Sequence, residues 1–298
     1  MTKLVECIPN FSEGRRPEVL EAIANAIRQT PGVTLLDTES DKDHNRSVMT
    51  FIGEPEAVKR GMLAAAAKAV ELIDMEKHRG EHPRLGAIDV VPFVPISGMT
   101  MGDAVELARR LGKELWERLH VPVYFYEEAA AAPSRKNLPD VRRGEYEGRK
   151  LDIKKPEWKP DVGEPAMHPT AGAVIVGARY PLIAYNVNLK TANLDIAKRI
   201  AKAVREKDGG LPAVRALGFE LKERGIVQVS MNLVNYHKTG ISRAFEAVKA
   251  EAAKAGVEVE GSEIVGLVPL EALVECANHF LALENFKPAQ ILETRLQK

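Results

Sequence analysis

Cysteine is scarce in this sequence: Cys7 and Cys276 are the only two among 298 residues. Two cysteines cannot form a disulfide framework or a four-thiolate metal site, and both stand among apolar residues, so we assign them to the core. An excess of one charge is also missing, because 42 lysines and arginines balance 42 aspartates and glutamates. There is no basic block of the kind that binds a nucleic-acid backbone, so nucleic acid is not an expected partner.

Long hydrophobic runs are missing as well. No apolar stretch approaches the roughly 18 residues of a membrane-spanning helix, and the first residues enter a strand-like segment without a signal-peptide core. We therefore expect a cytoplasmic protein that does not contact a membrane. Gly-x-Ser-x-Gly, Gly-x-Gly-x-x-Gly and Walker sequences are absent too, which argues against a serine hydrolase and against nucleotide cofactors.

Hydrophobic residues make up 45% of the sequence, enough for a large core, and their spacing predicts alternating strands and helices. The first half is predicted to contain strand 3–9, helix 17–30, strands 33–38 and 46–53, helix 55–76, strand 87–96, helix 101–119 and strand 121–127. Residues 129–170 lose this periodicity and gain prolines and charge, as expected for a connection. The second half is predicted to contain strands 172–178 and 182–188, helix 193–206, strands 213–221 and 226–234, helix 239–255, strand 258–266 and helix 268–282.

Both halves show the same order of elements, strand–helix–strand–strand–helix–strand. An internal βαββαβ duplication explains this order, although short apolar strands resemble one another without common origin. We predict an α/β fold of two subdomains, 1–170 with the proline-rich connection 129–170, and 171–298. Each subdomain is expected to have a sheet packed by helices, with a ligand cleft between the two.

The segment 77–86 contains the best candidate for a catalytic group, His82. We expect a helix to end before it, with Gly80 in the left-handed conformation that ends many helices, and Pro83 to restrict His82 to extended backbone. An imidazole titrates near neutrality, which suits a general base that takes a proton and returns it. A structural alternative, in which His82 caps a carbonyl or pairs with Glu81, is equally compatible with these residues.

A metal site is not expected in this segment. His78 and His82 are four residues apart, but Gly80 and Pro83 disfavour a continuous helical face, and the order of residues is not His-Glu-x-x-His. We interpret His78 instead as a helix-end residue that interacts with the carbonyls of the last turn.

Three separated segments resemble one family in the same order. They are Val-Glu-Cys-Ile-Pro-Asn-Phe-Ser-Glu-Gly at 5–14, Gly-Glu-His-Pro-Arg-Leu-Gly-Ala at 80–87 and Gly-Ala-Val-Ile-Val-Gly-Ala-Arg at 172–179. Together they resemble glutamate formimidoyltransferase, the folate enzyme of histidine breakdown, and the resemblance extends from the first strand to about Leu283. In animals this unit is fused to a cyclodeaminase. Nothing follows Lys298 here, so we expect the second activity to come from a separate chain or to be absent.

The resemblance implies a homodimer that transfers the formimidoyl group of N-formimidoyl-L-glutamate to N5 of tetrahydrofolate, a co-substrate. It places His82 at the catalytic histidine of the family. Glycines and prolines of the folate-binding segment can present backbone groups to a pterin ring, whereas the same stretch without the resemblance is more typical of a linker. This segment falls on Gly163, Glu164, Pro165, Ala166, Met167, His168, Pro169, Thr170, Ala171 and Gly172.

The anionic groups of both substrates favour arginines as partners. Arg46, Arg84 and Arg179 are our candidates for bidentate contacts with the glutamate carboxylates and the folate tail. Arginine is also common on surfaces, so each could equally be a solvated side chain.

Acidic and amide side chains complete the candidate set. The amidine of the donor is cationic, so Asp37 or Glu39 could hold it, although both could equally be solvated loop acids. Glu81 could orient the imidazole. Asn10 and Asn188 end the repeated first strand and could bond polar atoms of the substrates, although a turn-capping role fits as well.

Two other functions are compatible with the sequence. The same site could move a formyl group between N5 of the folate and glutamate, or the chain could be a folate-binding dimer without turnover. The segment 81–84 argues against the second of these.

Overall fold

The structure, a computed structural model, describes residues 3–296. The chain forms two compact units that divide between Arg179 and Tyr180. Each unit has a β-sheet packed by helices, which confirms the predicted α/β class. The boundary expected after residue 170 falls inside the first unit, because the predicted strand at 172–178 pairs with the first sheet.

Within residues 3–179, the first unit has a seven-stranded sheet. Its elements are β1 (Leu4–Cys7), β2 (Asn10–Phe11), α1 (Pro17–Arg28), β3 (Val33–Asp41), β4 (Arg46–Gly53), α2 (Pro55–Leu72), β5 (Ile88–Ser97), α3 (Met101–Leu119), β6 (Val123–Glu127), α4 (Leu138–Val141), α5 (Glu145–Asp152) and β7 (Val174–Ala178). The strand order is β3, β4, then β1 and β2, then β5, β7 and β6. Strands β1 and β2 follow one another in the same position of the sheet, and each pairs with β4 and β5. Only β7 pairs in parallel, with β5 and β6.

Helices α1 to α3 cover one face of this sheet. On β4 the residues alternate, so that Met49 and Phe51 are fully buried toward the helices while Arg46 and Thr50 project from the opposite face. Helix α3 begins at a capping box in which Thr100 and Asp103 each bond the backbone of the other. The predicted strand 46–53 and helix 101–119 are confirmed to the residue.

The second unit has a four-stranded antiparallel sheet with the order β11, β8, β10, β9. Its elements are β8 (Ile183–Leu189), α6 (Leu194–Val204), β9 (Val214–Leu221), β10 (Ile226–Leu233), α7 (Ile241–Lys254), β11 (Val259–Val265), α8 (Leu270–Leu281) and α9 (Leu292–Leu296). The first unit arranges β5, β1, β4 and β3 in the same relative order. Both units therefore contain the predicted βαββαβ order, and the sheets place the corresponding strands alike.

The predicted connection 129–170 is not a simple linker. It contains α4 and α5, and Val141 packs with Tyr124 and Ile175 on the face of the first sheet opposite α1 to α3. Arg149 is fully buried there, with its guanidinium carbon 3.6 Å from the centre of the Trp158 ring. Helices of four and eight residues are too short for hydrophobic periodicity to predict them.

Three smaller predictions are wrong. Helix α2 ends at Leu72 and not at 76, because Ile73 is already extended. Gly80 does not have a positive φ; it is required because a Cβ there would lie 2.3 Å from the carbonyl oxygen of His44. Cys7 is buried as expected, but Cys276 is only partly buried.

Among the described residues, every helix is too short or too polar to cross a bilayer.

Candidate active site

His82 lies in the loop of the first unit that joins α2 to β5, and a second loop, between β3 and β4, holds this loop in place. Asn45 has a left-handed backbone, and its side chain bonds two other segments. Its Oδ1 accepts from Gly14 N at 2.9 Å, and its Nδ2 donates to Arg79 O, in the His82 loop, at 3.0 Å. Such contacts from residues far apart in sequence fix the loop that carries the imidazole of His82.

His78 does not interact with the last turn of α2. Its Nε2 lies 2.9 Å from the carbonyl oxygen of Asn45, and its Nδ1 accepts from Arg84 Nε at 3.3 Å. Arginine is only a donor, so Nδ1 is unprotonated and Nε2 donates to the carbonyl. Burial lowers the pKa of His78, in keeping with a neutral ring. The helix-end interpretation of His78 is therefore wrong, and the residue joins two loops.

The N-terminal segment that carries part of the family resemblance supports the other end of the His82 loop. Ser12 Oγ donates to Gly86 O at 2.7 Å, and Ser12 N donates to Ala87 O at 2.9 Å. Glu13 accepts from the backbone N–H groups of Arg15 and Arg16, both at 2.9 Å. This motif thus acts on the candidate site through the backbone.

The C-terminal end of the segment 163–172 is bonded to the same loop. Ala87 N donates to Ala171 O at 2.8 Å, and Ala173 N donates to Leu85 O at 3.2 Å. His168 Nδ1 accepts from the backbone N–H groups of Thr170 and Ala171, so this imidazole is committed to shaping the turn. Residues 163–166 are exposed. The segment therefore has an exposed arm and a buried end next to the His82 loop.

The imidazole of His82 faces a guanidinium group. His82 Nε2 lies 3.4 Å from Arg46 Nη1, which also donates to Asn10 Oδ1 at 3.2 Å. Because arginine cannot accept a hydrogen bond, Nε2 presents its lone pair and the neutral ring carries its proton on Nδ1. The arrangement presents the group that a general base requires, a fixed and unprotonated nitrogen.

Burial is the first cause that lowers the pKa of His82 to about 3, and the positive charges of Arg142 and Arg46 add to it. His82 is therefore uncharged across the neutral range. Arg142, which follows α4, is held by the buried carboxylate of Asp89: its Nε donates to Asp89 Oδ1 at 3.4 Å, and its Nη2 donates to Oδ2. Asp89 also accepts from Leu85 N at 2.9 Å.

Several of the predicted polar residues share one face of the first sheet. Residues directly opposite one another on paired strands project to the same side. Asn10 and Glu39 both lie opposite Val48, and Asp37 lies opposite Thr50. Since Val48 and Thr50 alternate with the buried residues of β4, these side chains lie on the same face as Arg46.

Arg84 is placed differently from the other candidate arginines. It is buried, and its guanidinium donates to Glu147 at 2.6 and 2.8 Å and to Glu145 at 2.9 Å. Its remaining Nε donates to His78. With these partners, Arg84 is suited to joining α5 to the His82 loop.

Arg179 follows β7, and its charge acts on Glu6 of β1 and on Tyr126 of β6. Burial raises the pKa of Glu6, and Arg179 offsets part of that rise. This second polar cluster belongs to the same sheet as Arg46.

The last two candidates are Glu81 and Asn188. Glu81 is exposed, and no contact of its carboxylate with His82 is found among residues 3–296. Asn188 lies in the second unit, where its Oδ1 accepts from Gln228 Nε2 at 2.9 Å. The same Gln228 nitrogen donates to Glu263 at 2.9 Å, which makes a polar network on the second sheet.

Comparison with known proteins identifies the family. Residues 4–179 match the N-terminal subdomain of the formiminotransferase domain, and residues 184–294 match the formiminotransferase domain. The chain belongs to the formiminotransferase family. The resemblance inferred from three short segments is therefore confirmed over nearly the whole sequence.

Relatives of this formiminotransferase-family chain include stand-alone and fused proteins. It is 50% identical over 297 residues to the glutamate formimidoyltransferase of Thermoplasma acidophilum, covering 99% of this chain and 98% of the relative. It is 46% identical over 297 residues to the glutamate formimidoyltransferase of Streptococcus pyogenes serotype M1, covering 99% of each. The formimidoyltransferase-cyclodeaminase of Rattus norvegicus is 47% identical over 291 residues, which are 96% of this chain but 54% of the relative.

Two charged residues of the candidate site, Arg142 and Asp89, were not predicted from the sequence. The charge of Arg142 was visible within the connection, but nothing near it in the sequence indicates that it reaches His82. Asp89 lies in an apolar strand, where a lone acid is a weak signal. Among residues 3–296, no group of three or more His, Cys, Asp or Glu side chains is placed to hold a metal ion.

The position of His78 leads to a stability prediction. His78→Ala should lower the free energy of unfolding by about 1–3 kcal/mol, because it leaves the Asn45 carbonyl and the Arg84 Nε without their partner in a buried place. Urea unfolding measures the change. His44→Ala is the matched control, since His44 is exposed and close in the same pair of loops. Equal midpoints for the two variants would contradict the joining role of His78.

Proposed function

We propose that His82 is the proton-transfer group with which this chain moves the formimidoyl group of N-formimidoyl-L-glutamate to N5 of tetrahydrofolate, giving 5-formimidoyltetrahydrofolate and L-glutamate. The observation that carries the assignment is the fixed, uncharged imidazole whose Nε2 lone pair lies beside the guanidinium of Arg46. Membership of the formiminotransferase family supplies the substrates.

The reaction needs a group that accepts and then returns one proton. N5 attacks the formimidoyl carbon, a C–N5 bond forms, and the N5–H of the tetrahedral adduct becomes acidic. His82 Nε2 takes this proton. The imidazolium then donates it to the glutamate nitrogen as the bond from carbon to that nitrogen breaks, so that glutamate leaves as an amine and not as an anion. Proton transfers of this kind contribute about 10²- to 10⁴-fold in rate.

The charges on the face of the first sheet suit a substrate with charges of both signs. Arg46 would receive a carboxylate, and Asp37 or Glu39, on the same face, would receive the cationic amidine. Asn10 already orients Arg46 and would keep it toward the substrate. Arg179, beside Glu6, would receive a further anionic group. Asn188 and Glu81 are the candidates with the least structural support for a direct contact.

Tetrahydrofolate would contact the segment 163–172. The exposed arm at 163–166 offers backbone N–H and C=O groups, and the buried end at 171–172 is bonded to the His82 loop. A pterin on the arm would thus be placed by the same backbone that places the base. His168 would support this turn and not stack on the ring, because its Nδ1 is already an acceptor for two N–H groups.

The family resemblance extends the proposal to the state of the protein. The chain would act as a homodimer in the cytoplasm. Light scattering on the purified protein would measure its mass in solution, and a monomer mass would contradict the dimer.

The activity is tested directly. Purified protein is incubated with tetrahydrofolate and either N-formimidoyl-L-glutamate or N-formyl-L-glutamate, and the N5-substituted folate is identified by mass spectrometry. Product only with the formimidoyl donor supports the proposal. Product only with the formyl donor would replace it with formyl transfer, and folate binding without either product would indicate a binding protein.

Folate binding predicts a local protection. With 5-formyltetrahydrofolate in about hundredfold excess over its Kd, the native state should gain about 2.7 kcal/mol, and hydrogen exchange should slow at the amides of Gly163, Glu164 and Ala166. Free L-glutamate should protect this arm much less. Protection confined to the second unit would place the pterin elsewhere.

A further inference from the structure

Two guanidinium groups near His82 have N–H donors for which no acceptor is found among residues 3–296. Arg46 uses Nη1 toward Asn10 and His82, while its Nε is buried and has no hydrogen-bond partner among residues 3–296. Arg142 uses Nε and Nη2 on the carboxylate of Asp89, and no hydrogen bond of its Nη1 is found in the same part of the chain. A buried donor without an acceptor is costly, and such a group indicates a place for a ligand acceptor.

The charges with the largest effect on the pKa of His82 are all of one sign. They come from Arg142, Arg46, His44 and His78, and every one of these groups is positive when charged. Two permanent cations, Arg142 and Arg46, thus act on this imidazole.

Acids are also packed around this cluster. Asp89 on β5 is bound by Arg142, and the charges of Asp41 and Glu39 on β3 act on Arg46. Arg46 and Arg142 also act on each other, since the charge of Arg142 lowers the pKa of Arg46. Two guanidinium groups close enough to repel each other favour an anion that both can bind.

The chemistry of the donor identifies which anion this would be. In N-formimidoyl-L-glutamate the nitrogen that leaves is bonded to the same carbon as the α-carboxylate. A base that acts at this nitrogen therefore has the α-carboxylate beside it, whereas the γ-carboxylate lies farther along the side chain.

We propose that Arg46 and Arg142 together bind the α-carboxylate of the glutamate substrate, and that this anion makes His82 an effective proton acceptor. The identity of the substrate in this inference rests on the proposed function. Arg142 is the new residue, and Asp89 positions it.

The bound carboxylate acts on His82 in two ways. In the structure, Arg46 Nη1 lies 3.4 Å from His82 Nε2. The carboxylate becomes the acceptor for this N–H group, so the lone pair of His82 Nε2 is free for the proton of N5. Its charge also opposes the guanidinium charges that help lower the pKa of His82 to about 3, so that pKa rises in the complex. An imidazole of higher pKa is a stronger base. The donor substrate thereby activates the base that acts on it.

The pKa of His82 is measured by NMR on histidine-labelled protein, with His82→Gln to assign the signal. N-acetyl-L-glutamate, which carries both carboxylates and an acylated nitrogen, should raise this pKa by at least about one unit. N-acetyl-L-glutamine keeps the α-carboxylate and should raise it as well. N-acetyl-L-isoglutamine, in which the α-carboxylate is an amide, should not. No rise with either α-carboxylate ligand overturns the proposal.

The folate tail is also a glutamate, and a further ligand separates the two sources of carboxylate. p-Aminobenzoyl-L-glutamate represents the tail and should raise the pKa of His82 less than N-acetyl-L-glutamate does, because its aminobenzoyl group is much larger than the formimidoyl group of the donor. A rise with this ligand and none with N-acetyl-L-glutamate would assign the arginine pair to folate and overturn the proposal.

Kinetics test the role of Arg142. Arg142→Met should raise KM for N-formimidoyl-L-glutamate about 10- to 100-fold, as expected for a lost hydrogen bond to a charged group, and should change KM for tetrahydrofolate by less than about twofold. It should also abolish most of the pKa rise on ligand binding. Arg109→Met, an exposed arginine paired with Glu106 on α3, is the matched control and should behave as the parent.

Removal of Arg142 leaves Asp89 buried without its partner, so the double variant Arg142→Met/Asp89→Asn repeats the test with that charge removed. An unchanged KM and an unchanged pKa rise in a folded variant would overturn the proposal. The two hypotheses can fail separately. A pKa rise in a protein that transfers nothing would retain the carboxylate site and refute the function, whereas transfer without the rise would refute only the arginine site.

Discussion

His82→Ala should lower kcat by about 10²- to 10⁴-fold and leave the fold and the affinity for 5-formyltetrahydrofolate nearly unchanged. The substitution removes the proton carrier, whereas the loop is held by other groups, among them Asn45, His78 and Ser12. Steady-state kinetics give kcat, and calorimetry gives the folate affinity.

Two variants make this result specific to the imidazole. His279→Ala removes an exposed histidine that pairs with Glu246 in the second unit, and its kcat should match the parent. His82→Gln keeps a polar side chain of similar reach but cannot carry a proton, so it should be as slow as His82→Ala. Near-normal turnover in either His82 variant would refute the assignment of the base.

That a titratable imidazole lies in this loop could be predicted from the sequence, but its environment could not. The sequence placed His82 in a constrained loop because Pro83 and the predicted strand are its neighbours in the chain. The low pKa of His82 arises first from burial and then from the charges of Arg142 and Arg46, which come from other elements. The neighbouring residues in the sequence predict which group can titrate, and the packing of distant residues sets its pKa.

The partners of Arg84 could not be predicted from the sequence either. As an arginine beside the candidate histidine it was a reasonable contact for a carboxylate of the substrate. Its guanidinium is bound by Glu145 and Glu147 of α5, an element too short for its pattern to be visible in the sequence. Distant acids can occupy an arginine, and no local motif indicates this.

The predicted strands and helices were most accurate where they were long. Helix α3 and strand β4 have enough turns or alternations to fix their ends, whereas α4 and α5 do not. Strand β7 was predicted at about the right residues but assigned to the second half. Its parallel pairing with β5 and β6 is a tertiary property that position along the chain does not show.

Gly172→Ala should destabilise the protein strongly, because two independent costs meet at this residue. Its φ of +75° lies in the left-handed region, where a side chain costs about 1–2 kcal/mol. A Cβ there would also lie 2.6 Å from Leu85 O and 3.0 Å from Tyr146 Cδ2, and relief of such overlap in a packed region costs a further 1–3 kcal/mol or so.

Gly209→Ala separates the two costs. Gly209 has a φ of +89° and no atom within 4 Å of the added Cβ, so this variant keeps the backbone strain and lacks the overlap. Gly172→Ala should therefore unfold at a lower urea concentration than Gly209→Ala, and hydrogen exchange at the amides of Ala87 and Ala173 should quicken in Gly172→Ala alone. These amides join the segment 163–172 to the His82 loop, so kcat should fall with their protection. Equal midpoints and unchanged exchange at both amides would show that the buried end of the segment does not hold the loop that carries His82.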